Sequence, residues 1–557
     1  MSSDIISGHV YSCERCAPLH GVIIEVKNRT GRILCKAKSD SAGKWVLNQK
    51  WKDAIIAFRL EGYQSKQMGL SEVSEVTRLL EQKVICYHNT LSCYPGDEIS
   101  CFVNSPGPYS AKLFRHGLEK RLVLDLQRFP EHIQTVPDKF FVENGLSWEK
   151  SLNYWIPEDA KPGIYSLLIE SEGFGRFAAP LLVSTPKTDW GESRILVLAS
   201  TNNWQTYNLW GGRSRYRNYE DRKDLDFSNK SSLRTLISRN LRKILNHSQV
   251  EFLKSLAGLG GEADKWKFKK LSIARPFTNC ALEGELPFEP FNNHLAAGEW
   301  RLFAWLEKMN IAYDVVSGIE LHNNPEILNH YQGIILSTHC EYWSRVMYEA
   351  VRDAHCQKRL WILNFSGNTM YREVDFFEDG SLRCVSLYFS ESCADESALI
   401  GVRLTEDDYG TAAAYKIVDP EHWLFSGAPV NPNSLIFGGL SLNQYTLPTL
   451  SKYDPGRCGD VNGLVGMGAS GWETDKLTKT APKDIKLVAK GCNKRGGADM
   501  VVREPQGNRG GMFSASSILF VGALLIDGVV SKIAENVICC AINGSLSPEK
   551  TVGSNIH

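Results

Sequence analysis

The sequence predicts a multidomain protein in which two N-terminal all-β sandwiches precede an α/β doubly wound domain with insertions. Three observations predict this fold class. The 557 residues are too many for one hydrophobic core. Apolar and polar residues alternate with period two through much of residues 7–186. From Arg194 onward, short apolar runs alternate with amphipathic segments, which is the pattern of parallel strands joined by helices.

The composition is ordinary for a globular protein and disfavours several function classes. Formal net charge is zero, so no global field exists to hold nucleic acid or an anionic membrane, and we expect neither as a partner. We expect no signal peptide in residues 1–20 and no spanning helix, because no apolar run reaches about 18 residues. The fifteen cysteines lack framework spacing, which indicates reduced thiols and a cytoplasmic protein. The CxxC at Cys13–Cys16 has no second pair and is predicted to be structural.

Residues 1–85 form the first predicted domain. Strand-like alternation in Gly8–Tyr11 and Gly21–Lys27 is followed by Asp40–Leu47, a turn that leads into a strand, and by Ala54–Tyr63. The leading Gly-x-Val, central Asp-x-x-Gly-x-aromatic and closing Gly-Tyr resemble the carboxypeptidase-regulatory-like (transthyretin-like) sandwich. The resemblance implies a structural or docking unit.

Residues 86–186 form the second predicted sandwich. Tyr94–Ile99 and Pro157–Ser166 are turn-then-strand signatures, and the strand beginning at Gly163 alternates well. The polar stretch Ser184–Ser193 is the predicted linker to the next domain.

Residues 194–545 form the predicted α/β domain, followed by a flexible tail at 546–557. Its predicted strands are Ile195–Ala199, Tyr313–Val316, Ile334–Leu336 and Leu360–Asn364. Its predicted helices are Glu299–Met309, Pro325–Tyr331, Ser344–His355 with Ser344 as the cap, and much of Ile518–Ile542. Residues 213–292 and 372–510 interrupt the alternation as insertions, and the chain returns to the sheet after Gly511.

The stretch Gly333–Trp343 is the predicted centre of the molecule. A buried parallel strand is followed at once by His339, Cys340 and Glu341. Crowding ionisable groups at a strand end is costly without a use, and ligands bind at the carboxyl ends of the strands in open α/β sheets. The sequence therefore predicts one wall of an active site, with Cys340 as a partly buried thiol.

The strand order resembles the class I glutamine amidotransferase-like fold. That family places a cysteine nucleophile after the strand that corresponds to Leu360–Asn364, and a histidine after the one that corresponds to Met512–Phe513. Here the two turns are Phe365–Asn368 and Ser514–Ser516, without cysteine or histidine. A Cys–His thioester mechanism is therefore not supported, and Ser366 is the only nucleophile candidate at the first turn.

A closer resemblance covers residues 194–545. Seven blocks carry it in a shared order: Trp204–Tyr216, Arg275–Phe277, Trp305–Glu307, His339–Trp343, Ser366–Asn368, Gly471–Asp475 and Gly511–Ser514. They resemble the large (beta) subunit of N,N-dimethylformamidase and its relatives. The aromatic-Asn-x-Trp-Gly-Gly and His-x-Glu-Tyr-Trp patterns are the most specific. The resemblance implies a hydrolase of a small, linear, non-peptide amide.

The resemblance also implies a mononuclear iron site in which Fe³⁺ is held by two tyrosines and one glutamate. Glu341 matches the carboxylate ligand, and Tyr216 matches one phenolate, with Tyr207 as the competing choice. The other tyrosine belongs to an Arg-Pro-Tyr element, which here is Arg275–Phe277. Phenylalanine cannot ligate, so three alternatives stay open: another tyrosine substitutes, the metal differs, or the site is metal-free.

Carried over in the same way, His339, Asn368 and Glu473 match catalytic groups. A metal-bound hydroxide would attack the amide carbonyl while these residues orient the substrate and move protons. Each has a structural alternative. Glu341 could cap the helix near Ser344, His339 could be a core histidine, Asn368 a turn residue, and Glu473 a solvated charge.

The second hypothesis is a non-catalytic or metal-free relative that acts as a binding or assembly protein. Phe277 favours it, whereas the His-x-Glu and Gly-Asn motifs favour the enzyme. The resemblance further implies a small accessory subunit beside the amide substrate, and we expect a homo-oligomer. The arginine-rich stretch Arg213–Lys223 is predicted to be a solvated face or a subunit contact.

Overall fold

The computed structural model describes residues 5–14, 16–48, 51, 53–139, 141–218, 267–280, 282, 294–386, 389, 395–409, 411–441 and 468–546. Most of the first predicted insertion, part of the second and nearly all of the predicted tail lie outside these residues. The protein is multidomain and mostly β-sheet, with some helices. Within the described residues, no helix is both long and apolar enough to cross a membrane, and the thirteen cysteines there form no disulfide.

The N-terminal part is a pair of small sheets. Its strands are β1 (Ile6–Ser12), β2 (Ile23–Lys27), β3 (Ile33–Lys38), β4 (Lys44–Leu47), β5 (Ile55–Arg59), β6 (Lys66–Gly69) and β7 (Val76–Leu79). One sheet has the order β4-β1-β7 and the other β3-β2-β5-β6. Val10 and Trp45 of the first sheet share one core with Ile24 and Phe58 of the second, which makes the pair a sandwich.

The next part is a second pair of sheets. Its elements are β8 (Ile85–His88), β9 (Ser92–Cys93), β10 (Glu98–Asn104), β11 (Tyr109–His116), β12 (Lys120–Phe129), α1 (Phe141–Asn144), β13 (Leu152–Trp155), β14 (Gly163–Ser171) and β15 (Gly175–Val183). The sheets β13-β10-β8 and β12-β11-β14-β15-β9 share one apolar core. Trp210 and Tyr342, which come from the C-terminal part, pack into this same core, so the second sandwich lies against the site described below.

The remaining elements build the largest sheet. They are β16 (Ile195–Leu198), α2 (Thr201–Tyr207), α3 (Ala296–Lys308), β17 (Asp314–Val316), α4 (Gly318–Asn323), β18 (Gly333–Thr338), β19 (Tyr342–Trp343), α5 (Arg345–Lys358), β20 (Trp361–Ser366), β21 (Arg372–Phe376), β22 (Leu382–Cys384), α6 (Ser397–Ile400), β23 (Val402–Thr405), β24 (Ala412–Ala413), β25 (Tyr415–Ile417), β26 (Ile436–Phe437), β27 (Ser470–Gly471), β28 (Thr474–Leu477), β29 (Lys486–Gly491), β30 (Asp499–Arg503), β31 (Met512–Ser514), α7 (Phe520–Ala523) and α8 (Gly528–Asn543).

The nine-stranded sheet has the order β17-β16-β18-β20-β31-β30-β29-β25-β26. Its first five strands pair in parallel and the rest antiparallel. The sheet is therefore mixed, because the predicted second insertion adds its own strands to one edge instead of standing apart. The assignment to the doubly wound, glutamine amidotransferase-like class stays a prediction.

Both faces of the parallel strands are covered. Ile335 of β18 points into the core that holds α3 and α8, whereas Ile334 and Leu336 point into the core that holds α5. Burial on both faces explains the unbroken apolar runs in the sequence. The helix α5 begins where predicted, since the Ser344 hydroxyl accepts a hydrogen bond from the backbone N–H of Met347 at 3.2 Å.

Candidate active site

The carboxyl end of β18 is the foundation of the site. All six residues of this strand are buried, and Thr338 turns the backbone with a φ of +50°. His339 and Glu341 follow with side chains that are 0% exposed. The neighbouring strand holds this turn in place, because the backbone N–H of Cys340 donates to the Ser366 hydroxyl at 2.9 Å. Ser344 caps α5, so the structural alternative in which Glu341 caps this helix is wrong.

Two tyrosines reach Glu341 from the end of α2 and the loop after it. The Tyr216 hydroxyl donates to the two carboxylate oxygens of Glu341, at 2.6 and 2.5 Å. The Tyr207 hydroxyl lies 2.9 Å from Oε2 of Glu341 and 3.1 Å from the Tyr216 hydroxyl. It also lies 3.0 Å from Nε2 of His339. The structure thus brings Tyr207 and Tyr216 against His339 and Glu341, which lie 123 to 134 positions further along the chain.

Arg372 and Tyr342 complete this cluster. Nε of Arg372 donates to Oε1 of Glu341 at 2.7 Å, because the parallel pairing of β19 with β21 sets Arg372 beside Tyr342. The Tyr342 hydroxyl donates to the Tyr216 hydroxyl at 2.8 Å. Sequence reasoning missed both roles. Tyr342 was visible in the His-x-Glu-Tyr-Trp block, whereas Arg372 lies in the predicted second insertion and carries no sequence signal.

Opposite electrostatic effects act on the carboxylate and the phenols. Burial opposes ionisation of Glu341, but the hydrogen bond from His339 and the charge of Arg372 outweigh it and lower its pKa. Burial and the charge of Glu341 hold the pKa of Tyr207 and that of Tyr216 well above the ordinary value. Without a cation, the phenols therefore stay protonated and donate to an ionised Glu341. A bound cation would have to displace these protons.

Asn368, Glu473 and Asp475 form the opposite side of the site. Nδ2 of Asn368 donates to Oε2 of Glu473 at 2.8 Å, and the same oxygen lies 3.8 Å from Nε2 of His339. Asn368 has a φ of +52°, and its backbone N–H is held by the Asp475 carboxylate at 2.9 and 3.1 Å. Asn368 is therefore the turn residue as well as a side chain of the site. Asp475 ends the block Gly471–Asp475, and its sequence position alone predicted no role for it.

Burial raises the pKa of Glu473 to about 7, although the charge of His339 opposes the shift. Glu473 is only 8% exposed, so its carboxyl group is largely removed from water. Burial likewise opposes protonation of His339, but the hydrogen bond to Glu341 and the charge of Glu473 raise its pKa. Nδ1 of His339 lies 3.0 Å from the carbonyl oxygen of Gly367, which fixes the ring and places the proton on Nδ1. The site thus holds a carboxyl group and an imidazole that both have raised pKa values and lie close together, an arrangement suited to proton transfer.

The structure also places the Cys340 thiol, Phe277 and the first arginines of the arginine-rich stretch. Burial raises the pKa of the Cys340 thiol to about 12, so it is a buried thiol, as expected, and not a thiolate nucleophile. Phe277 is 2% exposed and packs in the apolar core with Trp204. The predicted solvated face is wrong for Arg213 and Arg215, which are 1% and 3% exposed. The Arg213 guanidinium pairs with Glu143 of the second sandwich at 3.2 Å, and this pairing offsets the cost of burying its charge.

The donor set fits a hard trivalent or divalent cation. Two phenol oxygens and one carboxylate converge within hydrogen-bonding distance of each other, and hard cations prefer such oxygen donors. Among the described residues, no group of three or more His, Cys, Asp and Glu side chains could hold a metal ion, so a metal site here would need the tyrosine oxygens. Tyr207 and Tyr216 both lie against Glu341, so these two would be the phenol ligands if another tyrosine replaces the one missing at Phe277.

Gly367 is a position where a small change is expected to disturb the site. A Cβ atom there would lie 2.7 Å from the Glu473 carbonyl oxygen and 2.7 Å from the Ile518 backbone nitrogen. Gly367→Ala should therefore lower the free energy of unfolding by about 1–3 kcal/mol and shift Glu473. Urea unfolding measures the first effect and kcat the second. Gly439→Ala is the control, since its Cβ would meet open space; equal stabilities of the two variants would contradict the packing argument.

Asp475 is expected to make stability pH-dependent in the metal-free protein. Burial raises its folded-state pKa to about 7, although the backbone N–H of Asn368 opposes the shift, from an ordinary value of 3.8. Its contribution to stability is thus complete below about pH 4 and is lost as the pH rises to about 7. At about 1.4 kcal/mol for each pKa unit, the loss is on the order of 4 kcal/mol. Asp475→Asn should show a flatter profile in urea unfolding at several pH values; parallel profiles would contradict this assignment.

The fold and the site together define a multidomain, β-rich protein with a buried centre of carboxylate, phenol and imidazole groups at a strand end. Comparison with known families assigns this class more closely. The profile of the family described as "N,N-dimethylformamidase beta subunit-like, C-terminal" matches residues 110–532. The match covers more than half of the chain, and the protein therefore belongs to this family. The description indicates amide hydrolysis and an assembly of several subunits. A search of curated proteins gave no match.

Solved structures add little. The chain is similar to Escherichia coli alpha-2-macroglobulin, with 13% identity over 33% of this chain and a TM-score of 0.11. It is also similar to a DUF3823 family protein from Parabacteroides merdae, with 12% identity over 32% of this chain, 97% of that chain and a TM-score of 0.12. A third is BcpA, the major pilin subunit of Bacillus cereus, with 10% identity over 36% of this chain, 73% of that chain and a TM-score of 0.14. The chain spans 12% of the alpha-2-macroglobulin. Likenesses at this level carry no argument about function.

Proposed function

We propose that this chain is an iron-dependent hydrolase of a small, linear, non-peptide amide. The observation that carries the proposal is the convergence of the Tyr207 and Tyr216 hydroxyls on the Glu341 carboxylate, within 2.5–2.9 Å. This trio supplies the two phenol oxygens and one carboxylate that a ferric ion prefers. Membership of the dimethylformamidase-like family supports the reaction class. An iron ion held there would lower the pKa of a water molecule and polarise the amide carbonyl.

Arg372 acts on the charge of Glu341, the proposed carboxylate ligand. Its guanidinium lies 2.7 Å from Glu341 and keeps this carboxylate ionised. The hydroxyls of Tyr207 and Tyr216 give up their protons only when a cation takes their place, so metal binding releases protons.

His339, Asn368 and Glu473 handle the substrate on the other side. The side-chain amide of Asn368, and Nε2 of His339 when the ring carries both protons, provide N–H groups that can stabilise negative charge on the carbonyl oxygen. Glu473 has a pKa of about 7 and is therefore protonated in a large fraction of molecules near neutral pH. It can hand this proton to the leaving amine, with His339 at 3.8 Å as its exchange partner.

Aromatic rings pack around His339. The ring of Tyr207 packs against His294 and His339 at centroid distances of 4.9 and 5.6 Å, and Trp472 covers His294 at 5.9 Å. Low dielectric strengthens the charge interactions that the reaction uses.

We further propose that the parallel part of the large sheet is a doubly wound, glutamine amidotransferase-like domain. The protein is proposed to be a cytoplasmic homo-oligomer that works with a small accessory subunit. The thiol state of the described cysteines supports the location, and the beta subunit-like family description supports the assembly.

The reaction class is tested with a panel of small formamides and acetamides. Purified protein loaded with ferric iron, alone and with any small subunit that copurifies, is expected to release amine from at least one of them. Glu473→Gln serves as the matched inactive sample. No amine from any substrate, with iron bound, would leave the binding or assembly role as the better account.

A further inference from the structure

We propose that the first β-sandwich is part of the active-site scaffold. Its Glu14 backbone, its Cys16 thiol and its Arg78 side chain hold the loop that carries Tyr216, so Cys16 and Arg78 are positioning residues for the site. The inference concerns the loop of residues 208–216 and rests on the proposed function only where a metal is the readout. It gives a role to a domain whose resemblance implies only a structural or docking unit.

The contact between the sandwich and the loop is made at Gly211. Its backbone N–H donates to the carbonyl oxygen of Glu14 at 3.2 Å. Its carbonyl oxygen accepts from the Cys16 thiol at 3.3 Å and from Nη1 of Arg78 at 3.4 Å. Both backbone groups of one residue are thus satisfied by a domain that lies nearly 200 positions away in sequence. Cys16 and Arg78 are 3% exposed each and contact one another, so the hydrogen bonds form in a buried environment.

Gly211 fits only because it has no side chain. Its φ is +90°, and a Cβ atom would lie 2.3 Å from the ring of Phe141 and 2.9 Å from Val142. Phe141 and Val142 of the second sandwich therefore contact the loop on another side. Trp210 packs edge-on against Phe141 and Trp148, at centroid distances of 5.7 and 6.4 Å. The loop is held between two domains at the point where it turns.

The tyrosine benefits from this support because its ring is only partly buried. Tyr216 is 39% exposed, although its ring packs on Tyr207 at a centroid distance of 4.6 Å and its hydroxyl lies among Glu341, Tyr207 and Tyr342. Its hydroxyl nevertheless has to meet Glu341 at 2.5–2.6 Å. The residues between α2 and Tyr216 form no regular helix or strand. The position of the hydroxyl therefore depends on the few hydrogen bonds that fix the loop, and those at Gly211 come from the first sandwich.

Cys16→Ala removes one of these hydrogen bonds with little change in volume. Cys16→Ser keeps a donor at the same position and should restore the loop. Cys86→Ala is the matched control, since Cys86 is a buried thiol in the adjacent sandwich whose hydrogen-bond partners are Cys101 and the backbone of Ala179. Arg78→Met is a second variant that removes the other donor, in case the turn at Cys16 adapts.

Hydrogen–deuterium exchange of the metal-free protein is the first readout. The amide of Gly211 is bonded to Glu14, and that of Arg215 to the carbonyl oxygen of Thr206 at 2.9 Å. In Cys16→Ala and Arg78→Met, exchange in residues 208–218 should be about tenfold faster, the result of a local opening cheaper by about 1.4 kcal/mol. In Cys86→Ala and Cys16→Ser it should be unchanged.

Iron affinity and the phenolate-to-ferric absorption are the second readout. Cys16→Ala should bind iron about tenfold more weakly and with a weaker band, as expected when support of a ligand is lost, while Cys16→Ser keeps both. The inference is overturned if exchange in the loop is the same in Cys16→Ala, Arg78→Met and Cys86→Ala. Absence of iron from the wild type would instead contradict the proposed function, and the exchange result would still decide the inference.

Discussion

Glu341→Gln is expected to reduce kcat/KM by at least about 10³-fold and to destabilise the metal-free fold. Activity falls because the amide is a poor ligand for a hard cation, and the cation is worth several kcal/mol to the transition state. Stability falls because the substitution removes the charge that pairs with Arg372 at 2.7 Å, where the Glu341 side chain is 0% exposed and that of Arg372 is 16% exposed. Removing one partner of a buried ion pair costs about 3–5 kcal/mol. Steady-state kinetics and urea unfolding measure the two effects.

Glu373→Gln is the matched control for this prediction. Glu373 follows Arg372 on β21 and pairs with the half-exposed Arg345 at 3.1 Å, facing away from the site. This variant should keep the activity of the wild type and lose little stability, since its partner stays hydrated. If Glu341→Gln retained most of the activity, Glu341 could not be a ligand of the proposed metal.

Glu473→Gln is expected to lower kcat by about 10²- to 10⁴-fold with little change in KM. A glutamine can keep the hydrogen-bonded contact with Asn368 but has no proton to give to the leaving amine. Because burial raises the pKa of Glu473 to about 7, the wild-type rate should also depend on pH near neutrality, falling at higher pH as this group loses its proton. The variant should lack that limb of the pH profile.

Glu396→Gln separates this catalytic role from the general effect of a buried carboxyl group. Glu396 is 1% exposed and its pKa is also raised to about 7 by burial, but its close partner is Arg403 at 3.0 Å, with Asp475 as a further charge that acts on it. Its substitution should affect stability alone. A Glu473→Gln enzyme with an unchanged pH profile would show that another group donates the proton.

The strand that leads to the site could be predicted, because its pattern is local. A short apolar run that is bounded by glycine and small polar residues, and followed at once by His339 and Glu341, indicates the carboxyl end of a buried parallel strand. The helix cap at Ser344 was predictable for the same reason. Tyr207, Tyr216, Asn368 and Glu473 entered through a resemblance, and their proximity depends on pairings between strands that no periodicity reveals.

Other features could not be predicted because they depend on contacts across the chain. Arg372 reaches Glu341 only because β21 pairs with β19, and Asp475 reaches Asn368 only because β28 passes the turn after β20. The predicted insertion at 372–510 joins the large sheet as antiparallel strands, since edge strands of a parallel sheet still offer hydrogen bonds. The arginines after Gly212 were expected at the surface, but Arg213 is buried against an acid of another domain.

Metal content and visible absorption of the purified chain test the central claim most directly. The account predicts about one iron per chain and a phenolate-to-ferric absorption that is weaker in Tyr216→Phe and absent in Glu341→Ala. Tyr415→Phe, at a buried tyrosine that donates to a backbone carbonyl elsewhere in the sheet, should leave the band unchanged. A folded wild-type chain that stays colourless and metal-free after incubation with ferric iron would contradict the account.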